Sequence, residues 1–409
     1  MRRATLLVAI AGTFAVAATS APEALAANAT YNVLKCHASS RSAAEAVSEA
    51  RGAYSTQNRC PGTDQRLELS NLGFATAGQN GFWRFNAPPG TEIVAVNVRA
   101  NLRRENHHLA QIVAVDAQGG TRVIGNGLDS AQGYQAYSAS GLRHVALVAI
   151  LICSDGGGCP YSEHAHAYVQ NIELVLADRY DPRVASVTGG LVEPGWKRGG
   201  LRLQAQASDV GSGIEHLRAL VNGVEVGRAS PACGGVLGGP YSSLLAPCPV
   251  SPVGVDLDRT LNTAATPFRS GPNTLLVCPE DFAGNAGGCA SRTIYVDNSP
   301  PGLAFANRQD AGDPELIRVR VTEPDSGLDT AGISYRPVGS TVWTPLGVET
   351  VAGELRARVD SDAVPSGDYE FRADAVDVAG NGAETTRARS SPATVSTASG
   401  VQTDPPTGR

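Results

Sequence analysis

The chain has 409 residues, 46 of them glycine and 25 proline, and a formal net charge of −6. That charge excludes a general grip on nucleic-acid phosphate, and many short alternating valine runs without long helical periodicity exclude a helical or βαβ architecture. Lys35 and Lys197 are the only lysines among the 33 basic residues, which reads as arginine-biased codon usage rather than as a site.

Residues 1–26 read as a secretory signal. Arg2 and Arg3 give a charged start, Leu6 to Ala18 an apolar segment, and Ala24-Leu-Ala26 a small-x-small cleavage site. The apolar run is shorter than the ~20 residues of a spanning helix, and no second run follows. The expected product is secreted or extracellular, without a membrane span after signal removal, and retained at a cell surface, if at all, by its own domains. Export makes the eight cysteines disulfide candidates. Proximity ranks Cys36 with Cys60, Cys153 with Cys159, Cys233 with Cys248 and Cys278 with Cys289 first, although other pairings remain open.

Residues 27–180 begin with a strand from Tyr31 to Lys35. Ser42-Ala-Ala-Glu45 matches a capping box, and Ala43, Ala46, Val47 and Ala50 make an apolar stripe ending at Gly52, so one short helix is predicted there. From Gln65 onward eight strands are expected: 67–72, 81–85, 93–102, 109–116, 121–124, 134–138, 144–153 and 167–176. Strands at this spacing point to a sandwich. The segments Phe82-Trp-Arg-Phe85, Ala87 to Val94 and Tyr168 to Val175 resemble strands of the jelly-roll, lectin-like domains of secreted bacterial proteins.

Asp181-Pro-Arg183 and Asp297-Asn-Ser-Pro-Pro301 are the linker signals, because proline cannot join a ladder. They set off residues 181–298 and 299–389, with residues 390–409 a Ser/Thr/Pro/Gly tail expected to be disordered. The two segments repeat one another. Tyr369-Glu-Phe-Arg-Ala-Asp-Ala-Val-Asp-Val-Ala-Gly-Asn381 echoes Asn273 to Asn285, and each reads as a strand entering a tight Ala-Gly-Asn turn. This hairpin resembles the last one of bacterial immunoglobulin-like domains. The resemblance implies a tyrosine corner at Tyr369, whereas Asn273 occupies the matching place in the earlier repeat.

Ser212-Gly-Ile214 matches Ser326-Gly-Leu328 at an offset of 114, while the Ala-Gly-Asn turns match at 96. The earlier repeat therefore carries 18 extra residues, expected between Ala229 and Thr263 as a loop stapled by Cys233 and Cys248. Asn222-Gly223 reads as a hairpin turn, and Val342-Trp-Thr344 as part of a central strand.

For chemistry, Glu163, His164 and His166 are metal candidates, since imidazoles at i and i+2 on a strand share a face. Glu105, His107 and His108 form a second group, with the plainer reading of a turn. A structural calcium ion is the remaining cofactor candidate; Asp155 and Asp129 are isolated acids, and Asp281 and Asp377 read more simply as turn-binding side chains. No nucleophile elbow or phosphate loop occurs, although a glycosidase could use carboxylates among Glu68, Glu92, Glu163 and Glu173. Trp83, Tyr134, Tyr137 and Tyr161 are candidate sugar platforms, Trp83 being equally well placed for the core.

The expectation is thus an all-β monomer: a jelly-roll-like β-sandwich followed by two immunoglobulin-like β-sandwiches. Its expected function is non-catalytic binding or adhesion to glycan or another surface component. A polysaccharide hydrolase or lyase and a ligand-free structural envelope protein are the alternatives.

Overall fold

The computed structural model describes residues 29–130, 133–306, 312–313, 315–360, 362–365, 367–387 and 394–395. The expected signal segment lies outside them, and of the tail only Thr394–Val395 are described. The described elements are all strands, and each group of sheets encloses its own core.

The first group contains β1 (Ala29–Lys35), β2 (Val47–Ala50), β3 (Tyr54–Asn58), β4 (Leu67–Asn71), β5 (Asn80–Asn86) and β6 (Thr91–Arg103). It continues with β7 (His108–Val115), β8 (Thr121–Asn126), β9 (Gln135–His144), β10 (Ala146–Cys153) and β11 (His166–Asp178). One sheet runs β2-β5-β10-β7-β8. The facing sheet is organised on β11, which pairs along one edge with β4 and then β1, and along the other with β6, followed by β9. Strict alternation explains the layering. Ala167, Val169, Ile172, Leu174 and Leu176 point inward and are fully buried, each large aliphatic contributing about 2 kcal/mol. A bulge between Gln170 and Glu173 divides β11, and Asn171, at φ 47°, donates its amide to Cys36 O.

The predicted helix does not form. Residues 42–46 are a turn running into β2, and Glu45, at φ 66°, does not reach back to cap Ser42. Its carboxylate instead meets the ammonium of buried Lys35 at 2.9 Å. Compensating a buried charge outweighs the modest helix preference of a short, thin stripe.

The second group contains β12 (Arg183–Thr188), β13 (Trp196–Lys197), β14 (Gly200–Ser208), β15 (Ile214–Val221) and β16 (Val224–Ala229). Two strands of the insertion follow, β17 (Val236–Gly238) and β18 (Tyr241–Ser242), then β19 (Val255–Asn262), β20 (Gly271–Asp281) and β21 (Ala290–Val296). The sheets are β12-β14-β19 and β13-β21-β20-β15-β16. Asn222 and Gly223 take the positive φ values of the expected hairpin turn.

The insertion is more than a stapled loop. β18 pairs in parallel with β1, so β17 and β18 extend the larger sheet of the first sandwich. Tyr31 Oη donates to Leu245 O at 2.6 Å, Lys35 Nζ to Ser243 O at 2.6 Å, and Leu245 N to the Glu45 carboxylate at 2.6 Å. Leu245, Cys248 and Phe282 complete the first sandwich's core.

The third group comprises β22 (Gly302–Phe305), β23 (Leu316–Thr322), β24 (Leu328–Pro337), β25 (Thr344–Leu346) and β26 (Val348–Val351). It closes with β27 (Glu354–Arg358), β28 (Gly367–Asp377), β29 (Gly382–Thr386) and β30 (Thr394–Val395). The sheets are β22-β23-β27-β26 and β25-β24-β28-β29, with β30 against the start of β28. Trp343 lies just before edge strand β25 rather than in a central strand, with Arg336 and Arg372 at 4.3 and 4.8 Å from its ring. All four expected disulfides are present.

Candidate functional site

The outer face of the sheet built on β11 gathers planar polar side chains. Because Ala165, Ala167 and Val169 point inward, His166, Tyr168 and Gln170 point outward. Across the ladder His166 faces Arg103, Tyr168 faces Asn101, and Gln170 faces Arg99. On the other edge Tyr168 faces Glu68 of β4.

The rings of His166 and Tyr168 stack at 4.2 Å with 14° between their planes. The Arg66 guanidinium lies 5.0 Å from the Tyr168 ring and near enough to Tyr134 to act on it electrostatically, and the Tyr134 ring has Arg99 at 5.7 Å. Tyr134, Arg66, Tyr168 and His166 thus form a row of flat groups with amide and guanidinium donors beside it. Arg99 makes no ion pair with a carboxylate among the described residues.

Electrostatics fix the protonation of this row. Burial holds His166 down to about 4, with Arg103, His164 and Arg66 adding repulsion against the imidazolium, so the ring is neutral near pH 7. Desolvation raises Tyr134 despite the opposing guanidinium of Arg66. Glu68 is 7 % exposed, yet it bonds Arg59 at 2.8 Å and also meets Arg66.

The other sequence candidates fall differently. Trp83 is 6 % exposed in β5, and its indole nitrogen donates to Glu68 O at 3.1 Å, so it belongs to the core and offers no sugar platform. Tyr137 opposes inward-facing Val98 and packs against that core. Tyr161 is exposed in the loop before β11 but makes no ring contact with the row among the described residues.

Glu163, His164 and His166 do not assemble as a metal set. His164 sits in a turn before β11, 3.5 Å from Glu163, while His166 turns its ring onto Tyr168. The i, i+2 rule fails because only His166 is on the strand. His108 is a satisfied core residue, with Nδ1 2.7 Å from Tyr54 Oη and Nε2 2.9 Å from Pro160 O. His107 stays in the β6–β7 turn, 3.3 Å from Asp155.

The carboxylates weighed for hydrolysis are individually engaged. Glu92 bonds Arg179 at 2.9 Å, Glu173 accepts from Asn97 at 3.2 Å, and Glu68 is held by its arginines. Glu92 and Arg179 also line a cleft of about 660 Å³ with Tyr180 and Arg183, where the first two sandwiches meet. Sequence reading missed Tyr168, Arg66, Arg99 and Asn101. The signal for the first was the ring spacing of His166 and Tyr168 on one strand face; the others lie on different strands and needed the register.

No protein-family model matches this chain, and no curated protein matches it. Solved structures that overlay it include a family 29 carbohydrate-binding module, at TM-score 0.25 and 5% identity, covering 36% of this chain and 88% of that one. A variant of such a module complexed with mannohexaose overlays at TM-score 0.24 and 7% identity, covering 36% and 92% of the two chains. The glycoside hydrolase domain of Endo-D from Streptococcus pneumoniae R6 overlays at TM-score 0.20 and 11% identity, covering 61% and 37%. At these distances no residue role transfers, and the functional reading rests on the geometry.

Proposed function

We propose that this chain is an extracellular, non-catalytic glycan-binding protein whose recognition surface is the outer face of β4, β11 and β6. The row of Tyr134, Arg66, Tyr168 and His166 carries the reading. Because His166 and Arg66 cover the Tyr168 ring, the row offers its polar edges, and with Asn101, Gln170 and Arg99 it supplies hydrogen-bond donors and acceptors of fixed geometry for sugar hydroxyls. The prior engagement of Glu68, Glu92 and Glu173 favours binding over hydrolysis. In this reading the second and third sandwiches are immunoglobulin-like spacers, the second carrying two disulfides.

A glycan-array assay on the full chain, followed by titration of any ligand found, tests this. Tyr168→Ala is expected to weaken binding about tenfold, roughly 1.4 kcal/mol, by removing its hydroxyl and the ring that holds His166 and Arg66 in place. Trp343→Ala, on the third sandwich, should leave affinity unchanged. Absence of any glycan ligand, or one indifferent to Tyr168→Ala in a folded protein, would overturn the proposal.

A further inference from the structure

Each boundary between consecutive sandwiches brings three carboxylates together, all buried but Glu323, which is half-buried. At the first, Asp178 ends β11, Asp209 follows β14 and Asp281 ends β20; at the second, Asp297 follows β21, Glu323 follows β23 and Asp377 ends β28. In each trio one oxygen per residue lies within 4.8 Å of the others. No lysine or arginine forms an ion pair with any of the six among the described residues. Asp178, Asp281 and Asp297 are 0% exposed, Asp377 1% and Asp209 2%.

The hydrogen bonds repeat. At the first boundary, Asp178 accepts from Tyr180 N and Ser212 N, Asp281 from Asn285 N and Nδ2, and Asp209 Oδ2 from Gly213 N. At the second, Asp297 accepts from Ser299 N and Ser326 N, Asp377 from Asn381 N and Nδ2, and one Glu323 oxygen from Asp325 N. Five of the six oxygens in each trio therefore accept N–H bonds, the wiring of carboxylate anions rather than of neutral acids.

The sixth oxygen is buried without a partner in both trios: Asp209 Oδ1 and Glu323 Oε2. Their positions differ by 114, the offset of the adjacent Ser-Gly motifs. The same orphan thus recurs at equivalent positions, on side chains of different length. An unpaired buried carboxylate oxygen is costly. Gly211, at φ 140°, lets the loop close on this trio, since a Cβ there would lie 2.3 Å from Asp178 Oδ2.

We infer that each boundary binds one calcium ion, held by Asp178, Asp209 and Asp281 at the first and by Asp297, Glu323 and Asp377 at the second. All-oxygen anionic donors suit a hard divalent cation. Calcium accepts an irregular cage of protein oxygens such as carboxylates and carbonyls, whereas magnesium demands a near-ideal octahedron and usually keeps several waters, which a buried trio leaves little room for. The inference is independent of the glycan proposal, because it concerns the joints rather than the outer sheet face.

The test is calcium titration of the full chain, disulfides intact, after stripping with chelator, followed by calorimetry and thermal unfolding. Two equivalents are expected, with the melting temperature rising by about 5 °C at saturation. Asp209→Asn and Glu323→Gln should each remove one equivalent, and together both. Zero equivalents with melting unchanged by chelator would overturn the inference, as would an equal shift from magnesium alone. Wild-type stoichiometry and melting decide the matter even if a variant fails to fold.

Discussion

Tyr369 and Asn273 share a place in successive sandwiches, and each donates to the backbone carbonyl four residues upstream: Tyr369 Oη to Pro365 O at 2.7 Å, and Asn273 Nδ2 to Arg269 O at 2.7 Å. The tyrosine corner of the third sandwich thus has an amide counterpart in the second. Asn273 also bonds Gly271 O and accepts from Arg269 N and Asn222 Nδ2. Tyr369→Phe should therefore cost about 1 kcal/mol and Asn273→Ala about 3 kcal/mol, since the latter strands several partners. Urea unfolding of both variants would show the order; equal losses would refute the shared role.

Glu45→Ala should destabilise by about 3 kcal/mol, because Lys35, 0% exposed, would keep its charge without a carboxylate. Burial already depresses the Lys35 ammonium, and Glu45 opposes that effect. Denaturant melts at pH 7 check the loss. A change below about 0.5 kcal/mol would mean that the carbonyls of Ala44 and Ser243 suffice.

Stability should acquire a pH dependence from His166. Its pKa falls from an ordinary 6.5 to about 4 on folding, so between those values the unfolded chain binds more protons. The contribution is complete above pH 6.5 and is lost as pH drops toward 4, at up to about 1.4 kcal/mol per unit. His166→Asn should flatten this component. The difference between wild-type and variant stability curves is the useful readout, since the raised acids Asp209 and Asp281 act in the opposite sense.

Replacing Cys233 and Cys248 by serine should loosen the insertion by about 3 kcal/mol. The expected signature is faster amide exchange in β1, where Asn32 N donates to Pro240 O at 2.8 Å. Unchanged exchange of the 29–35 peptide would show that pairing alone holds the strap.

The strands after Gln65 were legible because one sheet face is buried and period-2 alternation writes that burial into the sequence. The disulfides were legible from spacing. The capping box misled, because Glu45 answers to a lysine and an insertion far along the chain, neither visible in a local window. Lysine scarcity, read as codon usage, did not show that Lys35 is fully buried and Lys197 only 6 % exposed. For the recognition face, Trp83 was the natural candidate by residue type, yet its alternation phase places it inside. Tyr168 shares its strand face with His166, but their arginine neighbours come from other strands and needed the ladder register. The carboxylate trios join residues across as many as 103 positions, and only the paired orphan oxygens distinguish them from ordinary turn-binding aspartates.

The strap from the second sandwich also imposes a schedule on synthesis. Tyr31 waits for Leu245, 214 positions later, and the core stays open until Cys248 and Phe282 arrive. A chain emerging from its N-terminus therefore carries an incomplete first sandwich, its β1 edge unpaired for roughly sixty residues after β11 and its core open for roughly a hundred. Contacts of such long sequence separation slow folding. Truncation near residue 180 would make that transient state permanent, so the first sandwich is a late product of a chain whose beginning emerged long before.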